Sequence, residues 1–72
     1  MSKLKSIREA VGLSRAELAE KTGLKLTAIR DYEQNHKPIN NAAALSVYRL
    51  AQALGCTVED LLEINSEEEI QK

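Results

Sequence analysis

Few side chains in this chain could make or break covalent bonds, and they are badly placed for it. The one histidine, His36, and the one cysteine, Cys56, are separated by nineteen intervening residues. No carboxylate pair stands beside a nucleophile, and no glycine-rich loop is present to hold a phosphate. Glu67-Glu68-Glu69 reads as a solvated charge run rather than a metal cage. A single Cys permits neither an internal disulfide nor a cysteine-based zinc site. Enzyme readings therefore fail on inventory, and neither a metal nor a cofactor is expected. What remains is non-covalent chemistry, and it centres on SRAELAEKTGLKLTAIRDYE, from Ser14 to Glu33.

That run has the spacing of two short helices and a tight turn. Ser14 can cap with its hydroxyl, Glu17 can reach back to the Ser14 N–H, and Leu13 can pack on Leu18. A small residue at Ala19 lets a second helix cross closely, and Gly23 can take the positive φ that ends the first. Leu24, Ile29 and Tyr32 then form one apolar stripe. Tyr32 continues that stripe, which favours a core role over base stacking. Two helices crossing over a short turn leave the outer face of the second one free, a shape that fits the DNA major groove.

The surrounding elements are helical too, five in all and no strand. The first runs from about Lys3 to Val11, with Leu4, Ile7 and Val11 on one face and Gly12 as its stop. The second runs from Arg15 to about Thr22, and the third from about Leu26 to Gln34, with Asn35 left-handed after it. A loop from His36 to Asn40 comes next. Asn40 or Asn41 caps a fourth helix through Leu54, with Ala44, Leu45, Tyr48, Ala51 and Leu54 at helical spacing and Gly55 at its end. Tyr48 reads as a core or interface anchor. Thr57 caps the fifth helix, Asp60 lies three residues later, and Cys56 can pack on Leu61. Leu61, Leu62 and Ile64 supply its apolar contacts. The domain is expected to span residues 1–64, with a short, frayed acidic tail over 65–72.

At 72 residues this is one domain, near the lower limit for an unaided core. No apolar h-region comes after the initial Met, and no run approaches the roughly 20 apolar residues of a membrane span. The chain is read as a complete cytosolic protein with no membrane partner. Its net charge of −1 is unevenly spread. Residues 1–58 carry nine Lys/Arg against five Asp/Glu, a balance of +4, whereas residues 59–72 carry Lys72 against six acids, a balance of −5. That polarity suits a module presenting one face to phosphate. An ordinary mixed surface with an acidic tail is the alternative.

With Leu18, Ala19, Gly23, Leu24, Ile29 and Tyr32 at these spacings, the chain resembles the Cro/C1-type helix-turn-helix family, also called the Xre family. Leu4-Lys5-Ser6-Ile7-Arg8 is similar to the family's first helix and Gly12-Leu13-Ser14 to the turn after it. The stretch from Leu50 to Leu62 is similar to its fourth-to-fifth helix segment. The resemblance implies an all-α, compact, five-helix lambda-repressor-like domain with the helix-turn-helix at helices 2 and 3. It implies a cytoplasmic transcriptional regulator of prokaryotic, phage or mobile-element origin, commonly a homodimer on a palindromic operator in double-stranded DNA.

The resemblance also implies site residues. Arg15 stands where the second helix of such proteins contacts phosphate, often with Gln. Lys25, Leu26, Thr27, Arg30 and Asp31 fall at the base-reading positions. Gln34, Asn35, His36 and Lys37 lie in the loop that touches the DNA backbone. Arg8 and Glu33 match a structural ion pair. Three departures stand out. Lys25 replaces a capping Ser or Thr and has no acceptor, so the third helix is capped by water, or by Thr27 if it starts later. Asn35 replaces Gly. The stretch from Pro38 to Ala51 is a helical turn longer than usual, which leaves the fourth helix and the dimer geometry open.

On that face Lys25 and Arg30 can donate to guanine O6 and N7, and the planar fork of Arg30 makes it the better specific reader. Thr27 can bond to base or phosphate. Leu26 either packs on a thymine methyl or folds back as extra core. Asp31 either accepts from cytosine or pairs with Arg30. His36 is either a phosphate contact or a solvated loop residue, and Lys37 is a phosphate candidate. The functional expectation is a small homodimeric repressor that acts by occlusion, with Val47, Leu50, Leu62 and Ile64 as interface candidates. The alternative is an antitoxin-like protein-interaction module with a protein partner. A packaging role without sequence preference is disfavoured by the scarcity of cations.

Overall fold

Helix boundaries in this chain obey local hydrogen-bond needs. The computed structural model describes residues 2–63, which form α1 (Lys3–Val11), α2 (Arg15–Thr22), α3 (Leu26–Glu33), a 3-10 turn (Ile39–Asn41), α4 (Ala44–Leu54) and α5 (Val58–Leu61). At the start of α2, Ser14 Oγ accepts the Glu17 N–H at 3.0 Å and Glu17 Oε1 accepts the Ser14 N–H at 2.8 Å. Thr57 and Asp60 repeat this reciprocal cap on α5 at 3.2 and 3.0 Å. Each cap satisfies N–H groups that a first helical turn leaves open. The accepted backbone N–H of Ser14 or Thr57 also holds the Glu17 or Asp60 carboxyl below its ordinary range.

The helix ends share a second device. After α1, α3 and α4 an N–H reaches the carbonyl five residues back: Leu13 to Arg8 at 3.2 Å, His36 to Asp31 at 2.8 Å and Cys56 to Ala51 at 3.0 Å. The residue before each donor is left-handed, and after α3 it is Asn35 at φ 62°. This is the Schellman arrangement, and Asn tolerates it better than most residues with a Cβ. Helix α2 ends differently. Gly23, at φ 75°, makes one bond from its N–H to Ala19 O at 2.9 Å. Thr22 Oγ1 donates to Leu18 O at 2.8 Å and accepts the Leu24 N–H at 3.2 Å, so the turn closes its own polar groups.

Every element contributes to one core. Leu4, Leu18, Ile29, Leu50 and Leu61 are fully buried, one from each of the five α-helices. Ile39 of the 3-10 turn is buried with them, while Leu13, Leu24, Tyr32 and Cys56 pack against the cluster. Tyr32 therefore belongs to the core side, and Cys56 sits beside Leu61's cluster as expected. Burial pushes its thiol pKa up.

The fourth helix corrects the sequence reading. Its buried stripe is Val47, Leu50, Ala51 and Leu54, whereas Ala44, Leu45 and Tyr48 are exposed. Val47 and Leu50 are thus core residues and not the interface candidates expected. Two stripes were available at helical spacing, and the one carrying Val47 and Leu50 faces inward. Nor does Asn40 or Asn41 cap α4, which starts after Ala43 without a side-chain cap. The Asn40 amide is occupied instead: its Nδ2 donates to Glu63 O at 3.0 Å and its Oδ1 accepts the Glu63 N–H at 2.8 Å. The long Pro38–Ala51 stretch is taken up by the 3-10 turn, and α4 is shorter than expected. In α1, Val11 is exposed and Arg8 takes the inward position beside Leu4. Ile64 and the expected frayed tail lie outside the described residues.

Gly23→Ala should lower stability by about 1–2 kcal/mol through left-handed backbone strain alone. An added Cβ meets nothing nearer than Arg49 Nη1 at 4.0 Å. Gly23→Asn should lose less, because Asn enters this region more readily. Urea midpoints of the two variants check this, and equal losses would contradict it.

Candidate nucleic-acid interface

The two short helices are held by a buried carboxylate. Glu33 closes α3 with a side chain of 0% relative exposure. Arg8 of α1 donates to it through two nitrogens, Nε to Oε2 at 2.6 Å and Nη2 to Oε1 at 3.1 Å. Arg15 of α2 adds a third bond, Nε to Oε1 at 2.9 Å. The remaining Arg8 nitrogen, Nη1, donates to Leu13 O at 2.8 Å, in the turn between α1 and α2. Burial pushes the Glu33 carboxyl up, but the bonds and charges of Arg8 and Arg15 together outweigh it and hold the group below its ordinary range. One side chain thereby ties three helices.

With Ile29 and Glu33 facing inward, the opposite face of α3 is open. Lys25, Leu26, Thr27 and Arg30 are all exposed, and Gln34, His36 and Lys37 continue that exposure into the loop. Helical spacing puts Leu26 one turn from Arg30 and Thr27 one turn from Asp31, so these side chains share a face. The loop is fastened to the same helix, because Asp31 O accepts the N–H groups of His36 at 2.8 Å and Lys37 at 3.2 Å. Lys37 is therefore placed by backbone bonds rather than left to a free loop.

The geometry decides several alternatives. Leu26 is 48% exposed, so it does not fold back as core. Asp31 Oδ1 lies 3.9 Å from Arg30 Nη2 and 3.6 Å from His36 Nδ1, so it faces the Arg30 guanidinium and the His36 ring. Lys25 stands before α3 with no side-chain cap bond, and the helix starts at Leu26, so Thr27 is not the cap. Arg15 is bonded to the same carboxylate that holds Arg8. It is 31% exposed, with Nε turned inward to Glu33. The Arg8–Glu33 pair is present as expected, whereas the capture of Arg15 by the same carboxylate was not foreseen. Arg15 starts α2 on the side facing the α3 end, a placement that depends on how the two helices pack and that local spacing does not signal.

Glu33→Gln should cost about 3–5 kcal/mol at neutral pH, because it leaves two buried or half-buried arginines short of charge. The pH dependence has a definite sign. The folded Glu33 pKa lies below its unfolded value of about 4.3, so its contribution is complete above about pH 5 and is lost as pH falls through the folded pKa. Glu17 and Asp60 contribute in the same direction. Urea midpoints tracked from neutral to acid pH should therefore fall less steeply in Glu33→Gln than in the parent. Parallel curves would contradict the assignment.

Among the described residues no group of His, Cys, Asp and Glu could hold a metal ion, and no helix is long and apolar enough to cross a membrane. No curated protein matches the chain in sequence. The family model described as helix-turn-helix matches residues 4–61. That match runs from α1 through α5 and includes all three partners of the Glu33 cluster as well as the open face of α3. The chain belongs to the Cro/C1-type, or Xre, helix-turn-helix family of DNA-binding regulators.

Proposed function

We propose that the protein is a repressor that binds a palindromic operator as a homodimer, with α3 of each copy in the major groove. The observation that carries this reading is the exposed face of Lys25, Leu26, Thr27 and Arg30 on a helix whose opposite face is locked by Ile29 and Glu33. A rigid helix lets a few side chains be held against base edges, and a two-fold dimer places two such helices about 34 Å apart on one side of the duplex. Occupancy of that site excludes polymerase.

Roles divide by chemistry. Arg30 reads guanine through its planar fork, with Asp31 beside it to orient the guanidinium. Lys25 donates at the groove edge, Thr27 bonds to base or phosphate, and Leu26 packs on a thymine methyl. Gln34, His36 and Lys37 approach the DNA backbone from the loop. Arg15 offers phosphate the guanidinium edge that Glu33 leaves open, so its contact is pre-oriented rather than free.

Selection from random duplex DNA at stepped salt concentrations tests the reading. An enriched palindrome with half-sites about one helical turn apart is expected. Recovery of no preferred sequence would overturn it in favour of a protein partner. On the selected site, Arg30→Ala should cost about 1–3 kcal/mol and relax preference at one base position. Lys37→Ala should weaken all sequences alike and reduce the salt slope by about one. Equal losses on selected and random DNA for both variants would remove Arg30 as a reader.

A further inference from the structure

The outer face of α4 changes chemistry along its length. Ala44, Tyr48 and Gln52 follow one another at four-residue steps, with Leu45 and Arg49 beside them, and all are exposed. A mostly apolar hollow of about 420 Å³ flanks the first half, among Ala42, Ala44, Tyr48, Val58 and Leu62. A polar hollow flanks the second half, between α2 and α4, and is lined by Lys21, Arg49 and Gln52. Tyr48 lines both hollows and is 52% exposed, so the two form one strip. Among the described residues no Asp or Glu lines either hollow, and neither Lys21 nor Arg49 has an ion-pair partner. Glu17, one turn before Lys21, is engaged in capping Ser14.

The pairing of an apolar end with a cationic end selects among occupants. DNA phosphate answers Lys21 and Arg49 but offers nothing to the apolar half, and no residue of the open α3 face lines the strip. A second copy set across a two-fold axis at Tyr48 brings Lys21 and Arg49 against their own duplicates, and like charges in that position repel. An acidic peptide segment with one bulky apolar side chain answers both halves. The cationic end also borders the turn between α2 and α3. A Cβ added at Gly23 would stand 4.0 Å from Arg49 Nη1.

We propose that this strip docks an acidic segment of a partner protein, with an apolar side chain in the hollow beside Tyr48 and carboxylates against Arg49 and Lys21. The spacing within that segment comes from α4. Ala44 to Gln52 spans about 12 Å at a helical rise, which is the reach of about four residues of extended chain. The apolar contact supplies most of the affinity. The charge pairs set the direction in which the segment lies, because exposed pairs give orientation and on-rate more than binding energy. The reading is independent of the operator, since the strip and the α3 face share no residue. A docked segment nevertheless sits against the turn that leads into α3.

Amide NMR of the full chain, titrated with a synthetic peptide, tests the proposal. The peptide carries one Leu and, four residues further on, three consecutive Glu in an otherwise Gly/Ser sequence. Saturable shifts are expected at Lys21, Tyr48, Arg49, Gln52 and Val58, with the amides of Lys25 to Arg30 unmoved. Lys21→Ala/Arg49→Ala should weaken binding about fivefold. The peptide with Lys in place of Glu reads the same charge requirement on the unaltered protein and should not bind. Absence of shifts, or equal shifts with the Lys peptide, would overturn the proposal. Movement of the same amides on dilution of the protein alone would overturn it too, by assigning the strip to a second copy. So would displacement of the peptide by random duplex DNA, which assigns the strip to phosphate.

Discussion

A buried carboxylate between two arginines governs the architecture of this domain. Glu33 has no exposed side-chain surface, and a charge in that position is tolerable only because Arg8 and Arg15 surround it with three short bonds. Arg8, Arg15 and Glu33 come from three different helices. The apolar core brings α1, α2 and α3 together without direction, since hydrophobic contact specifies proximity and little else. The guanidinium–carboxylate geometry adds direction, because a two-nitrogen fork on a planar carboxylate sets both distance and angle. The angle at which α3 is presented depends on that cluster.

The same cluster links stability with the presented face. Ile29 and Glu33 turn one side of α3 inward, so the residues at the remaining positions are exposed by helical geometry. None of them is required by the core. Lys25, Leu26, Thr27 and Arg30 are thereby free to differ in chemistry while the fold stays constant, which is how one scaffold can serve many sites. An exposed Leu26 and an uncapped start to α3 are unfavourable locally, and nothing in the packing compensates them. Such local inconsistencies are characteristic of surfaces selected for contact.

Much of this was legible from residue types. The caps at Ser14 and Thr57, the left-handed Asn35, and the stripe of Leu24, Ile29 and Tyr32 all rest on short-range rules, in which a few neighbours decide the outcome. The open face of α3 was implied by that stripe. The face of α4 was not legible, because Ala44–Leu45–Tyr48 and Val47–Leu50–Leu54 are both apolar at helical spacing, and only packing against the other helices chooses between them. The start of α4 was misplaced for a related reason. Asn40 is a good cap by type, but its amide is drawn to Glu63, twenty-three residues away, and no local rule anticipates that. The second hold on Glu33 by Arg15 is likewise a contact between elements rather than within one.

Glu63 also meets the other end of the chain, because its Oε2 accepts the Lys3 N–H at 2.8 Å while Asn40 holds its backbone. The two ends of the domain thus leave from a single knot. Any polypeptide fused before Lys3 or after Glu63 departs from the same pole, and tension applied between the ends loads this knot before it reaches the core. Bringing residues sixty apart into contact costs loop entropy that local helix contacts do not.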